Sequence, residues 1–235
     1  MSFPRIIYGD EGDQFAFADT KTLPLGTTMV FQDGRQFSYV EMGGVAGVAG
    51  SLYQSEAFDS NVVAENPTET SAAGATTVTM DVGATPTANE FADGFLVDET
   101  NGKTYGVKAN TAADPTVVTL SDPDGLDEEL VAADTVSLYK SPFKDVIVKV
   151  AAEATAPVVG VAPTEIPADQ FGWVQTKGLC GVLAEDTLIV GDVCVASTVN
   201  DAGAVAAAST DLDQHVGRVL EIGADQAIAT IFLTL

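Results

Sequence analysis

The chain has 235 residues, 46% hydrophobic and 19% charged, which is enough apolar material to build one large all-β domain or two smaller ones and argues against global disorder. Its 34 acidic residues outnumber 10 basic ones, for a formal net charge of -24. That balance excludes nucleic acid and anionic membrane as expected partners, since both are held by clustered lysine and arginine.

Taken in chain order, short runs rich in Val, Ile, Thr, Phe and Tyr predict strands at 28–32, 36–42, 51–54, 76–82, 94–98, 103–109, 116–121, 135–139, 146–150, 172–176, 187–196, 216–222 and 227–233. Gly, Asp, Asn and Pro punctuate them. No long window repeats apolar residues at helical spacing with caps. The expected fold is all-β, a barrel or sandwich. Asp33-Gly34 and Asn101-Gly102 supply the positive φ of tight hairpins, and Asn200-Asp201-Ala202-Gly203 turns into 204–206.

Between 59 and 134 the chain carries fifteen acidic residues and two basic ones. The polar stretch Asn66-Pro67-Thr68-Glu69-Thr70-Ser71 reads as a linker, and Lys140-Ser141-Pro142-Phe143-Lys144 closes the segment. Residues 59–145 are therefore expected to form an inserted acidic β-domain that faces solvent. Residues 1–58 and 146–235 would together form a second, oligomerising domain. A faint echo links these flanks: Val48-Ala49-Gly50-Ser51-Leu52-Tyr53-Gln54-Ser55 resembles Ile189-Val190-Gly191-Asp192-Val193-Cys194-Val195-Ala196-Ser197.

The stretch Gly43-Gly44-Val45-Ala46-Gly47-Val48-Ala49-Gly50 lacks the Gly-Lys-Ser/Thr ending and following helix of a phosphate loop. A free tether would expose Val45 and Val48, so close packing near a subunit contact is expected. The single His215 follows Asp211 and Asp213, yet no nucleophile motif accompanies it. The acidic run Asp122-Pro123-Asp124-Gly125-Leu126-Asp127-Glu128-Glu129 places its glycine fourth, not sixth as in a calcium-binding EF-hand loop. It reads as a solvated loop or a casual calcium site. Cys180 and Cys194 can lie on neighbouring strands, and read as buried free thiols. Trp173 reads as a core or subunit-interface anchor, with a sugar-stacking platform as the alternative. No catalytic, metal or cofactor constellation emerges, and a non-enzymatic protein is expected.

Two stretches carry a family likeness. One is Asp33-Gly34-Arg35-x-Phe37-x-Tyr39-Val40 with Gly43-Gly44-x-Ala46-x-x-Ala49-Gly50-x-Leu52-Tyr53-Gln54. The other is Phe171-Gly172-Trp173-Val174-Gln175-Thr176-x-Gly178 with Val216-Gly217-Arg218-Val219-Leu220 and an apolar C-terminal strand. Together with Ala73-Gly74-Ala75-Thr76-Thr77-Val78-Thr79 and Ala88-Asn89-x-Phe91-Ala92-x-Gly94-Phe95-Leu96, they resemble virion structural proteins of tailed bacteriophages. The resemblance implies a capsid decoration, or cement, protein made in the host cytoplasm. Its partners would be the major capsid protein and copies of itself, as a homotrimer on the outer shell. A head fibre or tail component binding a host receptor or glycan is the alternative. The expected contacts are Phe3, Ile6 and Tyr8 of the N-terminal arm, Gly43, Gly47, Gly50 and Tyr53, the basic Lys140 and Lys144 with Lys149 nearby, and Trp173. The N-terminus shows no secretory signal, and no run of eighteen apolar residues occurs.

Overall fold

The structure is a computed structural model and describes residues 5–198, 201–208 and 214–235. The fold is all-β. The described strands are β1 (Ile6–Tyr8), β2 (Thr28–Val30), β3 (Gln36–Glu41), β4 (Leu52–Gln54), β5 (Thr77–Met80), β6 (Phe95–Asp98), β7 (Lys103–Asn110), β8 (Thr116–Leu120), β9 (Val136–Tyr139), β10 (Ile147–Val148), β11 (Val158–Val161), β12 (Phe171–Leu183), β13 (Val193–Ala196), β14 (Val205–Ala207), β15 (His215–Glu221) and β16 (Ile228–Thr234).

The chain divides into two compact units. One is Met1–Ala57 with Pro142–Leu235, the other Phe58–Ser141. The return falls at Pro142, earlier than the 146 expected from composition. The cause is local pairing: the Phe143 carbonyl accepts from the Glu41 N–H at 2.9 Å, and Val146 N–H donates to Glu41 O at 2.9 Å. The two units carry equal net charge. The smaller has fifteen acids and three bases, the larger nineteen and seven, so each stands at -12. Spread over more residues, the same net charge leaves the flanks the less densely charged part of the chain.

The smaller unit is a five-stranded sheet in the order β5-β8-β7-β6-β9. Its alternating strands put Val78, Met80, Leu96, Val107, Val118, Leu120, Val136 and Leu138 into one core. The larger unit holds an eleven-stranded sheet whose main path runs β1-β2-β3-β12-β16-β15-β13-β14, with β4, β10 and β11 branching from it.

The thirteen-residue β12 is the spine. Its first half pairs with β3, from Phe171↔Glu41 to Lys177↔Gln36. Its second half pairs with β16, from Lys177↔Thr234 to Leu183↔Ile228. The register shifts between Gln175 and Lys177, and Gly178 follows at φ +95°. A bulge plus a left-handed glycine bends the strand without ending it. The strand expected at 172–176 covers only the first half of this one. Here the glycine is a hinge between two packed layers. Tyr39, Phe171 and Trp173 fill the first layer, with Tyr39 and Trp173 ring centroids 5.1 Å apart. Val182, Ile231, Val219 and both cysteines fill the second.

Cys180 and Cys194 are not on neighbouring strands: β16 and β15 separate β12 from β13. Both thiols are buried and unpaired by disulfide. Burial pushes their pKa values to about 12 and about 11. They should resist thiol reagents until the protein unfolds, and fast labelling of the native protein would contradict this. The sign of the pH effect follows. Folded-state values above the ordinary 9.0 mean that the unfolded chain loses these protons first, so stability falls as pH rises through 9 toward 12.

Candidate interaction surfaces

The glycine stretch is held by backbone bonds throughout. Gly43 N–H reaches Val146 O at 2.9 Å, Gly47 N–H reaches Ile166 O at 2.7 Å, and Gly50 N–H reaches Ala162 O at 2.8 Å. The fully buried Tyr53 anchors it from below: its hydroxyl accepts from the Val48 N–H and lies 3.3 Å from Val48 O. Burial raises the Tyr53 pKa to about 12. A Cβ at Gly47 would come within 2.6 Å of the Tyr53 hydroxyl and 3.3 Å of the Met42 methyl. The close approach that requires glycine is therefore made within this chain. The valines go the other way: Val45 and Val48 are exposed, at 74% and 55%. Their exposure was the argument against a free tether, yet both valines are exposed on a stretch that is not free. The loop is real, and its anchoring is in the backbone.

The echo between the flanks has a structural counterpart. Ser51 N–H bonds Val48 O at 3.2 Å and Asp192 N–H bonds Ile189 O at 3.1 Å. Gly50 and Gly191 take φ of +74° and +91°, and a strand follows each. These are two copies of one turn-into-strand device.

The remaining expected contacts separate into surface and interior. Phe3 lies outside the described residues. Ile6 and Tyr8 project from β1, 56% and 87% exposed. This strand is missing from the sequence reading because three residues are too short to show alternation. It pairs in parallel with β2 and forms one edge of the large sheet. A concavity of about 460 Å³ beside it is lined by Tyr8, Gly9, Asp10, Val30, Phe31 and Gln32. The opposite edge, β14, is partly covered by a bridge between Ala184 and Val205. Trp173 and Tyr53 are interior side chains, so neither is a contact on the surface of the single chain. The arrangement also leaves Trp173 no open face for a sugar.

The basic cluster does not form a patch. Lys140 pairs with Glu90 at 3.2 Å. Lys144 lies near Glu41, whose pKa burial still raises above its ordinary value. Lys149 is fully buried, its ammonium donating to the carbonyls of Val150 (2.7 Å), Ala152 (2.7 Å) and Ser197 (3.0 Å). Burial depresses its pKa. In the acidic loop, Lys103 engages Asp127 and, at 3.2 Å, Glu128. Among the described residues no group of three or more His, Cys, Asp or Glu side chains is placed to hold a metal ion. His215 opens β15 and is exposed, while Asp211 and Asp213 lie outside the described residues.

Compared with known proteins, the chain matches no family model, no curated protein and no solved structure.

A second surface went unread in the sequence. The outer side of β12, β16 and β15 carries Leu179, Ile228, Phe232 and Leu220, all at least 43% exposed. The signal was present. The runs Gly178-Leu179-Cys180-Gly181-Val182-Leu183 and Ile228-Ala229-Thr230-Ile231-Phe232-Leu233 place apolar residues at both parities, which means both faces of a strand are apolar.

Proposed function

We propose that this chain is a non-enzymatic docking protein of a bacteriophage head, a decoration protein on the outer face of the major capsid protein shell. The observation that carries the docking part is the edge strand β1, with Ile6 and Tyr8 exposed beside a concavity, on an otherwise strongly acidic chain. An unpaired sheet edge offers backbone N–H and C=O groups to a partner strand, and the exposed side chains select that partner. The phage assignment draws on the sequence resemblance carried by the motifs around Asp33–Gln54 and Phe171–Leu220. A charge of -24 fits an external position, where the packaged genome lies on the other side of the shell. Many weak sites multiplied over a lattice give firm attachment without a large single interface.

The test is to prepare heads with and without the protein and challenge them with heat and low ionic strength. Decorated heads should retain DNA under conditions that empty bare ones, and a Tyr8→Glu protein should bind bare heads at least tenfold more weakly. Equal survival of bare and decorated heads would remove the cementing role. The head-fibre or tail reading instead expects the isolated protein to bind host cells or polysaccharide.

A further inference from the structure

We propose that the outer face of β12, β16 and β15 is where two copies of this chain meet. The face is continuous by register. Leu179 sits directly across from Phe232, Phe232 across from Arg218, Gly181 across from Thr230, and Leu183 across from Ile228. A bulge at Val219/Glu221 places Leu220 and Glu221 together opposite Thr230.

The two related turns flank this face. Leu183 N–H bonds Gly50 O at 2.8 Å, and a Cβ at Gly50 would meet the Ile228 Cδ1 at 2.9 Å. This brings Val48 to one side. Gly191 N–H bonds Val219 O at 2.9 Å and the Arg218 guanidinium reaches Gly191 O at 3.1 Å, which brings Ile189 and Val190, 61% and 56% exposed, to the other.

Area and charge both select a second copy as the occupant. The seven apolar side chains just named are 43–61% exposed and make a patch on the order of 500 Å² per copy, the size at which exposed apolar surface marks an interaction site. Pairing two such faces removes about 1,000 Å², the lower bound for a specific interface. A chain of net charge -24 repels itself everywhere that acids dominate. This face carries both signs instead: Lys177 and Arg218 with Glu221, and Arg35 paired with Glu11 and Asp33 beside Leu179 and Phe232. Two-fold packing needs one surface that complements itself, and a face bearing both signs beside an apolar centre meets that need. Two sheets stacked face to face would place Leu179 and Phe232 between them. The inference supplies the self-contact for the docking protein proposed above, but needs no capsid and is tested without one.

The experiment measures the mass of the full chain by light scattering and sedimentation across concentration and salt. The native protein should run as two or more chains at micromolar concentration. A Leu179→Glu, Phe232→Glu double variant should dissociate at least tenfold more readily while keeping its native circular dichroism. Tyr8→Glu, on the sheet edge, should leave the mass unchanged. As an independent check, Thr230→Cys should form a disulfide-linked dimer under mild oxidation, with the buried native thiols silent. A native protein that stays monomeric at all concentrations would overturn the proposal. So would a mass unchanged by the double variant, or no cross-link at Thr230→Cys. A monomer that still binds heads would leave the capsid reading intact, and an oligomer that ignores heads would do the reverse.

Discussion

Replacing Gly217 by alanine is expected to cost about 3 kcal/mol or more, through overpacking that backbone cannot relieve. A Cβ there would fall on the Phe232 carbonyl oxygen, 3.0 Å from its carbon and 3.1 Å from the Leu233 Cα. These atoms belong to the β15–β16 ladder, where Gly217 pairs with Leu233. A flexible side chain could move aside, but a hydrogen-bonded strand can do so only by breaking the ladder. The core of Val216, Val219, Ile231 and Leu233 depends on that pairing. Thermal unfolding should show a midpoint lower by roughly 6–12 °C for a chain of this size. A midpoint within a degree or two of native would mean the two strands are not so closely apposed.

Replacing Lys149 by methionine should have the second large effect. Methionine fills a similar volume, so the test isolates the ammonium group. That group is fully buried and satisfies three carbonyls, on Val150, Ala152 and Ser197. The backbone of Lys149 is tied in as well, its N–H to Leu52 O at 2.9 Å and its carbonyl to Gly203 N–H at 2.8 Å. The ammonium thus joins the chain after β10 to the end of β13. Of the three carbonyls only that of Ser197 lies in a fully buried contact; leaving it without a donor costs about 1–3 kcal/mol and the part-buried pair adds less, while relief of a buried charge returns part of this. A net loss of about 1–3 kcal/mol is expected, because a methionine thioether donates no hydrogen bond. The pH dependence adds a distinct readout. The folded pKa is depressed below the ordinary 10.5. The unfolded chain therefore holds this proton to higher pH, and the native protein gains stability relative to the variant as pH rises toward 10.5. Chemical denaturation of both proteins at pH 7 and pH 10 measures this. A variant as stable as the native protein, with no widening of the gap, would show that the carbonyl cluster needs no donor.

Strand identity was legible where the pattern was local. Asp33-Gly34 and Asn101-Gly102 mark the β2–β3 and β6–β7 hairpins, and both glycines take positive φ. Long-range geometry was not legible. The strand expected at 172–176 stops short of Gly178, where β12 bends between two layers and continues to Leu183. Residues 158–161 lie between Pro157 and Pro163, which hid the strand β11 between β4 and β12. The stretch 187–196 looked like one long strand because Leu188, Ile189 and Val190 are β-forming. Its first part is instead the turn carrying Gly191, and pairing begins at Val193.

The expected contact residues divide for the same reason. Hydrophobicity suggested Trp173 and Tyr53, but an aromatic residue scores alike in a core and at an interface, and both are core. Lysine spacing suggested a basic patch, but one lysine is buried, one is paired across its own unit and one sits beside Glu41. Burial depends on which strands meet, and that is decided by pairings more than a hundred residues apart, such as Val174 with Ser38. The apolar outer face was visible as two-parity runs, although its continuity required the register of three strands.

The proposal that this chain decorates a virus head meets its most direct test in an electron-microscopic reconstruction of tailed-phage heads incubated with the protein. The account predicts repeated density for this chain on the outside of the shell, at hundreds of copies, with the β1 edge against the major capsid protein. A bare shell, with the chain confined to the tail or to a few tens of copies, would contradict it.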